Sequence, residues 1–291
     1  MAVTLITGTS SGIGMATALH FASRGHQVYA SMRNPEHARN LREAAAATKL
    51  SLEIIQLDVN DEASVQRAVR DIRVREKHID VLVNNAGIAP MGSIELTSEA
   101  TAKAVFETNF FGPLRTIRAV LPSMRERRSG TIVNVTSVVG RVAPAGGGVY
   151  PASKFALEAA SEGLAQEVYS FGIRVAIVEP SFTVTPILEK TIDSLPLDLG
   201  SPYADTERRV KLMFDQARST GGDPRAVAET IEHAVTTTEP KLRYIIGAEA
   251  QAFVTARSRT TDEHWIAMGR HMTDEEYFAE FGALFATTVQ A

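Results

Sequence analysis

Thr7-Gly8-Thr9-Ser10-Ser11-Gly12-Ile13-Gly14 decides how this chain folds. The run joins a short apolar segment, Val3–Thr7, to a helical one, Gly12–Arg24, in which Ile13, Ala16, Leu19 and Ala22 fall on related faces. Gly8 permits a tight turn after a strand. Gly12 and Gly14 let backbone N–H groups approach a pyrophosphate at a helix N-terminus, with Ser10, Ser11 and Ile13 completing the cradle. Three glycines alone are a weak signal. A strand before them and a helix after them make the segment a dinucleotide-binding turn.

Outward from this loop, short apolar runs alternate with longer helical patterns. Gln27–Ser31, Leu52–Gln56, Val81–Asn84, Thr131–Thr136, Arg174–Glu179 and Tyr244–Ile246 read as further strands. Helices are expected near Asp61–Arg75, Thr101–Arg127, Tyr150–Ser170 and Arg225–Thr236, with Gly25 as the C-cap of the first and Asp223-Pro224 opening the last. Strands apolar on both faces belong to a parallel sheet covered on each side. The expected fold is α/β: a doubly wound parallel sheet of about seven strands in a single domain spanning the whole chain. Two stretches break the alternation, an insertion at about 186–220 and a C-terminal extension at about 251–291.

Composition excludes several classes of function. With 291 residues and a net charge of −4, the chain has no basic stripe for nucleic acid. The absence of cysteine rules out disulfides, thiolate nucleophiles and Cys-ligated zinc, and the seven histidines show no metal-ligand spacing, so no metal is expected. No apolar run of about 18 residues is present, so no membrane span is expected. No basic and apolar leader precedes Val3, which makes a cytoplasmic protein the expectation.

The choice of dinucleotide turns on the end of the second strand. An NAD site offers an acid there for the ribose 2′-hydroxyl. This chain reads Ser31-Met32-Arg33-Asn34, and Arg33 could pair bidentately with a 2′-phosphate, with Ser11 adding a hydroxyl. NADP(H) is therefore the expected cofactor.

The glycine loop, Asn84-Asn85-Ala86-Gly87, Asn109, Ser137 and Tyr150-Pro151-Ala152-Ser153-Lys154 together resemble the short-chain dehydrogenase/reductase family, over about Val3–Ile246. The spacing of Gly8 and Gly12 matches its single-domain branch. Ser31-Met32-Arg33-Asn34-Pro35 and Ser137-Val138-Val139-Gly140 resemble its 17β-hydroxysteroid and retinol dehydrogenase-like members. The resemblance implies a Rossmann-type fold, a nucleotide-binding oxidoreductase and a homo-oligomer, dimer or tetramer.

The chemistry also follows from the residues. Hydride transfer to a carbonyl carbon leaves charge on oxygen, which must be stabilised and protonated. A tyrosine does both if its high pKa is managed, and a nearby ammonium favours the phenolate. Tyr150 and Lys154 are four apart on a helical pattern and share a face. Ser137 would donate a hydrogen bond to the substrate oxygen. The resemblance implies that Lys154 also binds the nicotinamide ribose and that Asn109 holds a water relaying protons towards Lys154. It further places Asp58 and Val59 at the adenine, Asn85, Ala86 and Gly87 beside the cofactor, and Pro180, Ser181, Thr183 and Thr185 at the carboxamide. Ser181 departs from the family's usual Gly, which is expected to alter that turn's φ. Pro151 is tolerated only in a first helical turn, which puts Tyr150 at a helix start.

Substrate choice is expected in the insertion, where Ile187, Leu188, Leu195, Leu197, Leu199, Tyr203, Met213 and Phe214 either cover an apolar substrate or pack on the sheet. Val138–Val149 would form another wall, in which Arg141 meets an acidic substrate or faces solvent. In the tail, Thr273 and Glu276 form a capping box ahead of Tyr277, Phe281, Leu284 and Phe285 on one face. The expected activity is reduction or oxidation of a mostly apolar small-molecule carbonyl or alcohol. The alternative is a regulator or scaffold that binds NADP(H) without chemistry.

Overall fold

The glycine-loop strand lies inside a sheet of seven parallel strands ordered β3-β2-β1-β4-β5-β6-β7. The computed structural model describes residues 1–193, 195, 198 and 200–286. Leu197 and Leu199 lie outside the described residues, as does the side chain of Phe285. The strands are β1 (Val3–Ile6), β2 (Gln27–Met32), β3 (Glu53–Gln56), β4 (Val81–Asn84), β5 (Gly130–Val135), β6 (Ile173–Pro180) and β7 (Arg243–Ile246). Twelve α-helices are described: α1 (Gly12–Ser23), α2 (Arg39–Ala47), α3 (Glu62–Glu76), α4 (Glu99–Phe106), α5 (Gly112–Arg127), α6 (Val149–Tyr169), α7 (Pro186–Asp193), α8 (Ala204–Thr220), α9 (Pro224–Thr236), α10 (Ala248–Arg259), α11 (Asp262–Ala267) and α12 (Asp274–Ala286).

Strand parity sorts the core into two layers. Leu5, Leu82 and Ile132 are in register across β1, β4 and β5 and face α3 and α5, where Val65, Val69, Ile72, Ile117, Val120 and Met124 close over them. Their neighbours Ile6, Val83 and Val133 face the other way, against Phe21 of α1 and Val227 and Ile231 of α9. Both faces are buried, which is why the strands read as continuous apolar runs.

The helix expected over Thr101–Arg127 is broken. A π-helical turn, Glu107–Phe111, separates α4 from α5. Pro113 explains the break: it has no N–H for the carbonyl of Asn109 four residues earlier, and its ring clashes with that carbonyl.

The insertion forms α7 and α8 and builds a small core of its own from Leu188, Ile192, Leu195, Val210, Phe214 and Ala217. Gly146 abuts it: a Cβ there would come within 2.6 Å of Val210 Cγ2. The capping box forms, with Thr273 N donating to Glu276 Oε2 at 2.8 Å and Glu276 N to Thr273 Oγ1 at 3.2 Å. Asp274 then pairs with Arg208 (2.7 Å) and Arg209 (2.9 Å) of α8, and Arg209 lies over the Tyr277 ring at 4.5 Å. The tail is thus fastened to the insertion. No helix of the described residues is long and apolar enough to cross a membrane.

Candidate active site

Strand order reverses between β1 and β4, and the crevice at such a point, beyond the carboxyl ends of the strands, is where a parallel sheet binds ligands. The glycine loop, Arg33, Asp58, Asn85, Ser137 and Ser181 all follow strands on this edge.

The glycine loop has the shape a dinucleotide requires. Gly8 has φ +70°, and a Cβ there would come within 2.7 Å of Ala86 Cα. A Cβ on Gly14 would come within 2.3 Å of the Gly8 carbonyl oxygen. Ser11 is the extended N-cap of α1 with no side-chain cap bond, and no acid stands in the first turn. The first N–H groups of the helix and its positive dipole end therefore remain for an anion. The residues present fit a dinucleotide pyrophosphate.

A clamp from β4 fixes the loop. Asn85 Nδ2 donates to the carbonyls of Thr7 (2.9 Å) and Gly8 (3.1 Å), while Thr7 Oγ1 accepts from the N–H groups of Asn85 and Ala86, both at 3.0 Å. Thr7 was quoted within the loop, but its role could not be read there because its partners lie nearly eighty positions away. Thr185 meets the loop from the β6 side, since a Cβ on Gly12 would come within 3.1 Å of Thr185 Cβ. The segment carrying Ser181, Thr183 and Thr185 is pinned by Val184 N to Gly222 O and Gly222 N to Phe182 O, both at 2.9 Å. Ser181 is not among the residues with positive φ, so the turn accepts a side chain where the family usually has Gly. Asp58 caps its own turn, accepting from Asn60 N at 3.0 Å, and Val59 is buried against Gly112. Arg33 is exposed after β2, and among the described residues its guanidinium has no ion-pair partner.

The four proton-handling candidates converge. Tyr150 is the second residue of α6 and Pro151 the third, so the ring of Pro151 falls where no helical N–H is needed. Ser137 caps a short 3₁₀ turn after β5 and donates to Pro180 O at 3.3 Å. Burial pushes the Tyr150 phenol up to about 12, and a hydrogen bond with Ser137 pulls it partly back.

Lys154 is 5 % exposed, and burial brings its ammonium down to about 8, opposed by the carboxylate of Glu158. Its Nζ donates to Val135 O at 3.0 Å and lies 5.8 Å from the Tyr150 ring centroid. The Lys154 ammonium is thus turned to a main-chain carbonyl beside Tyr150.

Asn109 is 1 % exposed. Its Oδ1 accepts from Ile88 N at 2.9 Å, and its Nδ2 donates to Ile88 O at 2.8 Å and to Ser153 Oγ at 3.0 Å. The side chain is fully engaged and secures the segment after Gly87, whose Cβ position lies 3.3 Å from Asn109 Oδ1. Arg141 is exposed at the surface while its Nη1 donates to the buried Glu179 at 3.3 Å.

The chain is similar to known proteins over most of its length. Residues 2–195 match the family model described as short chain dehydrogenase. The chain is 35 % identical over 250 residues to a 3-ketodihydrosphingosine reductase of Bacteroides thetaiotaomicron, covering 86 % of this chain and 89 % of that one. It is 36 % identical over 271 residues to human retinol dehydrogenase 5, covering 86 % and 82 %. A solved short-chain dehydrogenase from Streptomyces avermitilis superposes with a TM-score of 0.75 at 33 % identity, covering 99 % of this chain and 97 % of that one. With its parallel seven-stranded sheet and its glycine loop at the switch point, the chain belongs to the short-chain dehydrogenase family of oxidoreductases.

Proposed function

We propose that this chain is an NADP(H)-preferring oxidoreductase interconverting the carbonyl and alcohol forms of a mostly apolar small molecule, with Tyr150 as proton donor and acceptor. The observation that carries the reading is the convergence of Tyr150, Ser137, Lys154 and Asn109 at the end of β5, two of them linked through Ser153.

The bound dinucleotide supplies or accepts the hydride. Gly8, Ser10, Ser11, Gly12, Ile13 and Gly14 would hold its pyrophosphate. Arg33 would meet the 2′-phosphate, Asp58 and Val59 the adenine, and Asn85, Ala86 and Gly87 the middle of the cofactor. Lys154 keeps donors beyond the one given to Val135 and would bind the ribose. Pro180, Ser181, Thr183 and Thr185 would meet the carboxamide. Ser137 and Tyr150 donate to the substrate oxygen. A phenol raised by burial stays protonated through neutral pH, which suits reduction: its proton goes to the oxygen as charge develops there. The carbonyl of Asn109, whose i+4 residue Pro113 has no N–H to donate, is the natural holder of the relay water, since the side chain is engaged.

The apolar substrate follows from exposed Phe182, Val184 and Ile187 beside the carboxamide segment, and from the α7–α8 insertion, which we read as the substrate lid. The relatives named for retinol and ketodihydrosphingosine point the same way. Loss of NADPH absorbance against graded ketones and aldehydes, with NADH in parallel, tests the reading. Faster consumption of NADPH with bulky apolar carbonyls supports it. Equal rates of a folded Tyr150→Phe variant would remove Tyr150 from the chemistry.

A further inference from the structure

Behind Tyr150 and Lys154 lies a second cluster of charge that the reaction does not use directly. Glu158, one helical turn beyond Lys154 on α6, is 4 % exposed, and Glu179 of β6 is 0 % exposed. Glu158 Oε1 accepts from Thr136 Oγ1 at 2.7 Å and its Oε2 from Arg243 Nε at 3.0 Å. Glu179 Oε1 lies 3.3 Å from Arg141 Nη1 and 3.4 Å from Arg243 Nε, while its Oε2 has no hydrogen-bond partner. Arg243 Nη2 also reaches Glu162 at 2.6 Å. The turn after Ser137 sits on the same stretch of α6, because a Cβ on Gly140 would come 3.1 Å from Glu158 Cγ and 3.3 Å from the Lys154 carbonyl oxygen.

Two adjacent buried carboxylates are costly, and apolar side chains of similar size would hold these elements together as well. What they add is a field. The charged groups around Glu158 are Lys154, one turn before it, and Glu162 from α6, Arg141 from the turn after β5, Glu179 from β6 and Arg243 from β7, while the residue following β5 is the neutral Thr136. Three of the segments the cluster touches adjoin the candidate groups: Thr136 precedes Ser137, Glu179 precedes Pro180, whose carbonyl accepts from Ser137, and α6 carries both Tyr150 and Lys154.

We propose that Glu158 is a positioning residue for the reaction: its carboxylate, anchored by Thr136 and Arg243, keeps buried Lys154 an ammonium beside Tyr150. This rests on the assignment of Tyr150 as the proton carrier, yet its test needs no turnover. In protein labelled with ¹³C at lysine Cε, the Lys154 resonance is the one that Lys154→Arg removes. Its midpoint in the wild type is expected near 8. Glu158→Gln keeps the shape and the acceptor for Thr136 but removes the charge. It is expected to lower the midpoint by about one pH unit, a tenfold change in the amine-to-ammonium ratio. Glu158→Asp, which restores a carboxylate, should bring the midpoint back towards the wild type.

An unmoved midpoint in Glu158→Gln, or equal displacement by Glu158→Gln and Glu158→Asp, overturns the proposal, because only a structural role would treat the two alike. Should Glu158→Gln fail to fold, Arg243→Gln removes a cation facing the same carboxylate and is expected to raise the midpoint; no movement there overturns the proposal as well. Full turnover in Tyr150→Phe would instead defeat the assignment of Tyr150 and leave the Lys154 titration standing.

Discussion

Asn109 and Ser153 meet inside the protein: Asn109 Nδ2 donates to Ser153 Oγ at 3.0 Å, and the same hydroxyl donates to the Tyr150 carbonyl at 2.7 Å. One hydroxyl thereby joins the π-helical turn before α5 to the first turn of α6. Ser153→Ala leaves a buried amide hydrogen of Asn109 without an acceptor, which costs about 1–3 kcal/mol. The expected result is a lower melting temperature and a reduced kcat with little change in cofactor affinity. Thermal unfolding and steady-state kinetics on one preparation check it. A drop in cofactor affinity alone would place Ser153 elsewhere in the mechanism.

Arg33 offers the test of cofactor choice. A guanidinium pairing with a phosphate contributes about 1.5–3 kcal/mol, or roughly tenfold to a hundredfold in affinity. Arg33→Asp should therefore cut kcat/KM for NADPH by at least that factor and raise the relative use of NADH, since the new acid repels a 2′-phosphate and accepts from a 2′-hydroxyl. An unchanged ratio of the two cofactors would show that Arg33 is a solvated loop residue.

These two residues also show how far the sequence could be read. The place of Arg33 was legible because β2 ends at a fixed position relative to the glycine loop. The sheet, the loop and the Tyr150–Lys154 face were legible because each is a short-range pattern of period two, period 3.6 or glycine placement. Long-range partnership was not. Thr7 and Asn85 bond across 78 positions, each side chain to the other's main chain, and the side chains of Glu158 and Arg243 bond across 85. No local spacing says that Lys154 turns to Val135 or that Arg141 turns inward to Glu179. The break between α4 and α5 did carry a local signal, Pro113. The long amphipathic pattern on either side of it read as one continuous helix.

The tail fastening makes a prediction in pH. Hydrogen bonds from Arg208, the larger influence, and Arg209 hold the Asp274 carboxyl at about 2, against an ordinary value of 3.8. A depressed folded-state pKa stabilises above the unfolded value and is lost as pH falls through the folded one. The stabilisation is thus full above about pH 4 and drains towards pH 2. With Asp274 about a quarter exposed, solvent screening limits it to on the order of 1–2 kcal/mol. Asp274→Asn should lower stability by that amount at pH 7, by a gap that is flat from pH 8 to 5 and narrows below 4. It should also raise KM more than it lowers kcat, because α8 belongs to the insertion. Denaturant titrations over the pH series test the first outcome, and a gap independent of pH would show that the carboxylate charge is not what fastens α12.

Lys154 works in the opposite sense. Burial is the larger influence and lowers its pKa from 10.5 to about 8, with Glu158 resisting. For a base with a depressed folded-state pKa, the unfolded chain binds more protons between the two values, so stability rises with pH across that window. Below pH 8 both states are protonated, and the folded protein carries the full cost of a desolvated ammonium, on the order of 2–3 kcal/mol before the lost bond to Val135 is counted. Lys154→Met should therefore be more stable than the wild type at pH 7, by about 1–2 kcal/mol once that bond is set against it. Its advantage should shrink as pH rises from 8 towards 10.5. Turnover should fall by at least about a hundredfold in the same variant. Stability gained together with activity lost is the mark of a group kept for chemistry against the preference of the fold. A Lys154→Met protein less stable than the wild type at pH 7 would mean that the ammonium is held favourably, and that Glu158 and Val135 together more than offset its desolvation.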